Sequence, residues 1–164
     1  MPRSFTLPGS ESAGDAAARL RRLEDIEAIR ALIASYGPLA DGGDAAGVAA
    51  LFTPDGVYEV AGWGTLGGAD LVKVIDNDGH RAWMAQGVAH VLSAPVIELD
   101  GDRATARNHS VVFLREPDGG YRAARAGANR WELVRTGEGW RVARRVNRQL
   151  DGSEAAWALF AVPE

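Results

Sequence analysis

Val88-Ala89-His90-Val91-Leu92-Ser93-Ala94-Pro95-Val96-Ile97-Glu98-Leu99, closed by Asp100-Gly101, is the stretch whose reading decides the fold. It is rich in Val, Ile and Leu and ends on a turn dipeptide, so a strand is expected over 88–99. From here onward the pattern stays β. Further strands are expected at 103–115, 121–135 and 140–150. They are separated by Asp100-Gly101, Pro117-Asp118-Gly119-Gly120 and Gly137-Glu138-Gly139. Short Gly- and Asp-rich separators signal hairpins, so the pairing is expected to be antiparallel. A short helix is expected at 153–160.

Upstream the period changes. Leu20, Leu23, Ile26, Ile29, Leu32, Ile33 and Tyr36 recur at steps of three or four, the signature of one helix face. Ser12 followed by Asp15 reads as its cap, and Gly37-Pro38 as its stop, with the chain staying compact to Asp41. Asp44 then caps a short helix carrying Val48, Leu51 and Phe52. Thr53-Pro54-Asp55-Gly56 reads as a turn and Val57-Tyr58-Glu59-Val60 as a short strand. A third helix is expected over 69–76, broken by Asn77-Asp78-Gly79. Helices first and a meander later define an α+β fold, a curved antiparallel (mixed) sheet with helices on one face. Residues 1–13 read as a flexible lead and 14–164 as a single domain. The long strands are apolar on both faces in places, so a second subunit is expected to cover one of them, as a homodimer or homotrimer.

Composition narrows the function. The chain has 46% hydrophobic and 24% charged residues, a net charge of −4 and no cysteine. An acidic balance disfavours a nucleic-acid surface. Disulfides, Cys metal ligands and a thiol nucleophile are excluded. No apolar run reaches signal-peptide or membrane-span length, so no membrane association and a cytoplasmic location are expected.

Several polar residues stand where apolar ones belong. Tyr36 and Asp41 close the first helix, His90 interrupts an apolar strand, and Asn129 interrupts another. Buried polar groups cost free energy unless paired, so such a set points to a pocket. Each has a plainer reading. His90 can be a satisfied core histidine, Asp41 a turn residue with Gly42-Gly43, Tyr36 the last core residue of its helix, and Asn129 a partner for a backbone group at a bend near Gly127. Trp63, between Gly62 and Gly64, reads as a pocket wall or a lid. His80 is expected on a loop. The three histidines lack metal-motif spacing, so no metal site is expected. Arg141, Arg144, Arg145 and Arg148 read as a solvated or interface face.

The phrases Ala50-Leu51-Phe52-Thr53-Pro54-Asp55-Gly56-Val57-Tyr58, His90-Val91-Leu92-Ser93-Ala94-Pro95-Val96-Ile97-Glu98, and Trp131-Glu132-Leu133-Val134-Arg135 with Gly139-Trp140-Arg141 occur in this order. Together they resemble a SnoaL-like domain of the nuclear transport factor 2 superfamily, over roughly residues 18–152. The resemblance implies a cone-shaped curved sheet wrapped around N-terminal helices. Tyr36 matches the first-helix tyrosine that ketosteroid isomerases use as an oxyanion donor. The position of their base carboxylate is Val60 here, which disfavours their reaction. Scytalone dehydratase, bile-acid dehydratase and hexachlorocyclohexane dehydrochlorinase instead pair an aspartate matching Asp41 with a histidine matching His90. Asn129 matches an asparagine of scytalone dehydratase, whose first-strand tyrosine aligns with Val60, two residues beyond Tyr58. By comparison with the family, Asn108 faces the pocket and His109 faces away.

A neutral imidazole is a natural base near pH 7, and a carboxylate on its other ring nitrogen fixes the tautomer. The expectation is therefore an enzyme without metal or organic cofactor. His90, oriented by Asp41, would remove a proton beside a carbonyl of a small apolar or polycyclic compound. Tyr36 and Asn129 would hold the developing oxyanion. Net loss of water makes it a dehydratase-like lyase. A cyclase or isomerase using the same pocket, or a ligand-binding or assembly module without turnover, are the alternatives.

Overall fold

The structure, a computed structural model, describes residues 13–161. Of the lead expected over 1–13, Ala13 opens helix α1; the rest of it and the Ser12 cap lie outside the described residues. Helix α1 runs Ala13–Asp41, α2 Ala45–Ala50, and strands β1 and β2 Phe52–Val60 and Gly64–Gly67. A 3₁₀ helix, Gly68–Val74, precedes α3, Asp78–Gln86. Strands β3 to β7 are Val88–Leu92, Val96–Asp100, Arg103–Arg115, Tyr121–Thr136 and Gly139–Gln149, followed by α4, Glu154–Trp157, and a 3₁₀ turn, Ala158–Phe160. The strands form one unclosed mixed sheet in the order β2-β1-β7-β6-β5-β3, with β4 paired to the other half of β5. All pairings are antiparallel except β1 with β7, which is parallel. The α+β class and the curved sheet around the N-terminal helices are as the sequence predicts.

Ile29, Ile33, Tyr36 and Ala40 of α1 are buried against Trp131 and Leu133 of β6 and Trp140 and Val142 of β7. The indole of Trp131 donates to Asn108 Oδ1 at 3.0 Å, and Asn108 Nδ2 donates to the Ser93 carbonyl at 3.0 Å. Asn108 thus satisfies a buried donor and anchors the link between β3 and β4.

Five expectations need correction. The single strand read over 88–99 is two strands, because Ser93-Ala94-Pro95 leaves the ladder and each half pairs separately with β5. The turn at Thr53-Pro54-Asp55-Gly56 lies inside β1 as a register shift between Phe52 and Val57. The expected third helix is the 3₁₀ helix. Asn77, read as a breaker, caps α3 by accepting the His80 amide at 2.9 Å.

Helix α1 also does not stop at Gly37-Pro38 but continues through Pro38 to Asp41. Its last carbonyls find partners in the turn that follows: Gly42 N donates to Pro38 O at 2.9 Å and Asp44 N to Leu39 O at 2.9 Å. Gly37 has a separate role. A Cβ there would overlap the backbone carbonyl oxygen of His90 on β3. The missing side chain lets the end of α1 press against that strand. On an exposed helix face Gly→Ala gains about 1 kcal/mol. Here the sign reverses: Gly37→Ala is expected to lose about 1–3 kcal/mol by overpacking. Urea unfolding checks this, and a gain in stability contradicts it.

Candidate active site

The close approach at Gly37 puts the Asp41 carboxylate over the start of β3. Asp41 Oδ2 and Oδ1 accept the His90 amide at 2.9 and 3.1 Å, and Oδ1 lies 2.6 Å from His90 Nδ1. A carboxylate only accepts, so Nδ1 carries the proton and Nε2 keeps its lone pair. The side chain of His90 is only 13% exposed. Burial holds its pKa below the ordinary value of 6.5; Asp41 opposes, and the charges of His80 and Arg145 add to the fall. Burial outweighs the carboxylate, so the imidazole is neutral at pH 7.

His90 opens into a cavity of about 330 Å³, within the size range of small-molecule sites. Tyr36, Tyr58 and Trp63 line it with His90. Tyr36 stands edge-on to His90, centroids 6.4 Å apart, and edge-on to Tyr58 at 6.3 Å. Burial pushes the Tyr58 hydroxyl well above its usual range; Arg145 opposes and Tyr36 adds to the rise. Tyr58 is therefore a donor at any working pH. Trp63 is half-exposed in the turn between β1 and β2, where Gly62 (φ 75°) and Gly64 (φ 125°) occupy backbone conformations that favour glycine.

Asn129 and Asn108 do not line this cavity. Asn129 sits behind the wall, fully buried. Its Oδ1 accepts from Arg145 Nε and Nη2 at 3.2 and 2.9 Å and from Asn147 Nδ2 at 3.1 Å, and its Nδ2 donates to Ser110 Oγ at 3.0 Å. His109 points away, its ring tilted against that of Phe160 with centroids 4.6 Å apart, so the C-terminal turn lies on the face opposite the cavity.

Three cavity residues escaped the sequence reading. Arg145, expected on a solvated face, is 2% exposed. Its guanidinium lies 4.0, 4.4 and 4.1 Å from the ring centroids of Tyr36, Tyr58 and Trp131. Each ring face contributes about 0.5–2 kcal/mol toward a desolvation cost of several kcal/mol. The register explains the reversal. Glu132 pairs with Arg144 but Leu133 with Val142, so Ala143 is an extra residue in β7 and the inward face passes from Trp140 and Val142 to Arg145 and Asn147. Arg125 follows a similar shift in β6, since Val112 pairs with Arg125 and Phe113 with Ala123. His80, expected on a loop, lies on α3 and is 6% exposed. Its Nε2 lies 2.8 Å from the Ala40 carbonyl and its ring centroid 5.6 Å from that of His90. The carbonyl only accepts, so His80 carries its proton on Nε2.

Among the described residues no group of three or more His, Cys, Asp or Glu side chains is arranged to hold a metal ion, and no helix is long and apolar enough to cross a membrane.

A curved mixed sheet wrapped on helices, with a cavity at its inner face, defines the nuclear transport factor 2-like class. Residues 21–146 match the family model described as SnoaL-like domain, and the chain belongs to that family. It is similar to the crystal structure of an NTF2-like protein with a cystatin-like fold from Novosphingobium aromaticivorans, with 50% identity, 94% of this chain and 100% of that chain covered, and a TM-score of 0.89. Rv3472 from Mycobacterium tuberculosis is 29% identical over 84% of this chain and 91% of its own, with a TM-score of 0.69. ActVI-ORFA from Streptomyces coelicolor shares the fold at 22% identity, covering 76% of this chain and 96% of its own, with a TM-score of 0.66. Comparison with curated proteins gives no match.

The His90 geometry has a measurable consequence. The unfolded chain carries this imidazole at its ordinary value of 6.5 and the folded chain holds it lower, so the folded protein binds this proton less readily. The stability contributed by this group is therefore complete above pH 6.5 and is lost as the pH falls through 6.5 toward the folded value. Nitrogen-15 NMR of the imidazoles is expected to show an Nδ1–H tautomer for His90 at pH 7 and a titration midpoint below 6.5. An Nε2–H tautomer, or a higher midpoint, contradicts the assignment.

Proposed function

We propose that this SnoaL-like protein is a cofactor-independent acid–base enzyme that enolises a small, apolar-bodied carbonyl compound, with loss of water as the net reaction. One observation carries the reading: the 2.6 Å contact between Asp41 Oδ1 and His90 Nδ1, which leaves Nε2 as a free base at the cavity. In this reading Nε2 takes the proton beside the carbonyl. Tyr36 and Tyr58 donate to the enolate oxygen, and Arg145 beneath their rings supplies positive potential. The imidazolium then returns its proton to a departing β-hydroxyl, so hydroxide leaves as water and no external reductant or oxidant is required. Asp41 holds the ring and stabilises the imidazolium. The resemblance of the Asp41 and His90 pair to that of scytalone and bile-acid dehydratases supports elimination. A cyclase or isomerase would form the same enolate but add it to an internal electrophile or reprotonate it at another carbon.

A panel of β-hydroxy ketones and polycyclic hydroxylated carbonyl compounds, followed by mass spectrometry, separates these outcomes. Product lighter by one water supports the lyase, and an isomeric product the cyclase or isomerase. With an active compound found, His90→Gln is expected to lower kcat by about 10²–10⁴-fold. Tyr36→Phe is expected to lower it by about 10²-fold or more. Wild-type turnover by the folded His90→Gln protein ends the mechanism.

A further inference from the structure

The cavity wall holds two cations and no anion. Arg125 and Arg145 line it, and no Asp or Glu does. Asp41 stands behind His90, committed to its ring and amide. Among the described residues neither arginine forms an ion pair. Arg145 meets only rings and the neutral Asn129, and its Nη1 is buried without a hydrogen-bond partner. Arg125 Nη2 donates to the Ala61 carbonyl at 2.7 Å and to Asn147 Oδ1 at 2.8 Å, both neutral. The contrast lies on β7 itself, where Arg144 and Arg148 both pair with Glu59 away from the cavity. Carboxylates are thus supplied to the outward arginines of β7 and withheld from the two that face the cavity. Partly desolvated cations without counterions hold a positive potential that only an incoming anion relieves.

We propose that the natural ligand is an organic carboxylate: a ring-bearing apolar body with its carboxylate on Arg125. This rests on the catalytic reading above for which end of the ligand meets His90. Arg125 is the docking group because its Nη2 is held by Ala61 and Asn147, which fixes the guanidinium plane and leaves Nη1 to donate a charge-assisted bond to a carboxylate. Arg145 is enclosed by three rings and acts on the anion through its field. Val60, Val74, Ile75, Leu92 and Val112 line the remainder and suit a hydrocarbon ring. The carboxylate lies at the edge formed by Ala61 and Trp63, and the reacting carbon reaches inward to His90 and Tyr36.

Isothermal calorimetry with 2-naphthoate, methyl 2-naphthoate and inorganic phosphate tests this on the wild-type protein. The acid is expected to bind about tenfold or more tightly than its ester, the equivalent of one charge-assisted contact. Its affinity is expected to fall as NaCl rises from about 0.05 M to about 0.5 M, while that of the ester stays constant. Arg125→Gln is expected to remove the acid–ester gap by weakening the acid alone, and Arg125→Lys to retain most of it; circular dichroism checks that both fold. Equal binding of acid and ester, equal weakening of both by Arg125→Gln, or no binding of naphthoate at millimolar concentration overturns the proposal. Phosphate binding as tight as naphthoate overturns the organic body. Calorimetry reads no turnover, so the acid–ester gap survives if the catalytic role of His90 fails, and the two readings fail separately.

Discussion

The Asp41 carboxylate is the constraint on which the site depends. It accepts the backbone amide of His90 and, through Oδ1, the Nδ1 proton of the same residue. One side chain therefore fixes both where β3 begins relative to α1 and how the imidazole is turned. Charge-assisted hydrogen bonds of this kind are worth about 1.5–3 kcal/mol each. They form only because α1 comes close to β3, which Gly37 permits by lacking a Cβ. The neighbouring Ala40 carbonyl, one of the orphan acceptors at the helix end, meets His80 Nε2 and Gly43 N. Helix α1, strand β3 and helix α3 thus converge on Ala40 and Asp41, and the cavity opens beside them.

The charges in the cavity suit the proposed reaction, which separates charge. Before reaction His90 is neutral, because burial and the fields of Arg145 and His80 outweigh the pull of Asp41. Lowering the pKa makes a weaker base but guarantees that it is unprotonated at neutral pH. In the proposed reaction proton transfer creates an imidazolium and an enolate. The new cation faces Asp41, which already holds its ring. The new anion faces Tyr36 and Tyr58, whose rings lie over Arg145. Each charge appears next to a fixed partner of opposite sign, so little reorganisation is needed when it forms.

The parts legible in the sequence were those set by local pattern. The period of Ile29, Ile33 and Tyr36 gave α1, and the Asp-Gly and Gly-rich separators gave the hairpins of β5, β6 and β7. Asp41, His90, Tyr36 and Trp63 stood out by local context and Tyr58 through the family resemblance; the structure places Tyr36, Tyr58, Trp63 and His90 on the cavity with Asp41 on His90, and leaves Asn108 and Asn129 outside it. What was illegible depended on non-local register. Arg141 and Arg145 have the same parity, so strict alternation assigns both to solvent. The extra residue Ala143 turns the second one inward. Arg125 follows the shift at Ala124 in β6. His80 was hidden because Asn77-Asp78-Gly79 has the composition of a turn and serves as a helix start. Pro38 reads as a stop, but the carbonyls around it are satisfied by the turn that follows, so the helix continues.

The buried asparagines show why polar residues in a core need not touch a ligand to matter. Asn129 takes one edge of the Arg145 guanidinium and one amide hydrogen of Asn147 on the same oxygen. Asn147 passes the chain on, accepting Arg125 Nη2 with its own Oδ1. Ser110, which lines the cavity, closes the other end by accepting from Asn129 Nδ2. Donors and acceptors run in one sense from Arg125 through Asn147 and Asn129 to Ser110, with Arg145 joining at Asn129. The amide orientations follow from this order: Asn129 must present oxygen to two cationic or amide donors, and Asn147 must present oxygen to Arg125. A leucine at either position would fit the apolar surroundings but leave a guanidinium edge unpaired in a low dielectric. The network thus keeps two cations without counterions at fixed places in the wall, the arrangement on which the proposed recognition of a carboxylate rests.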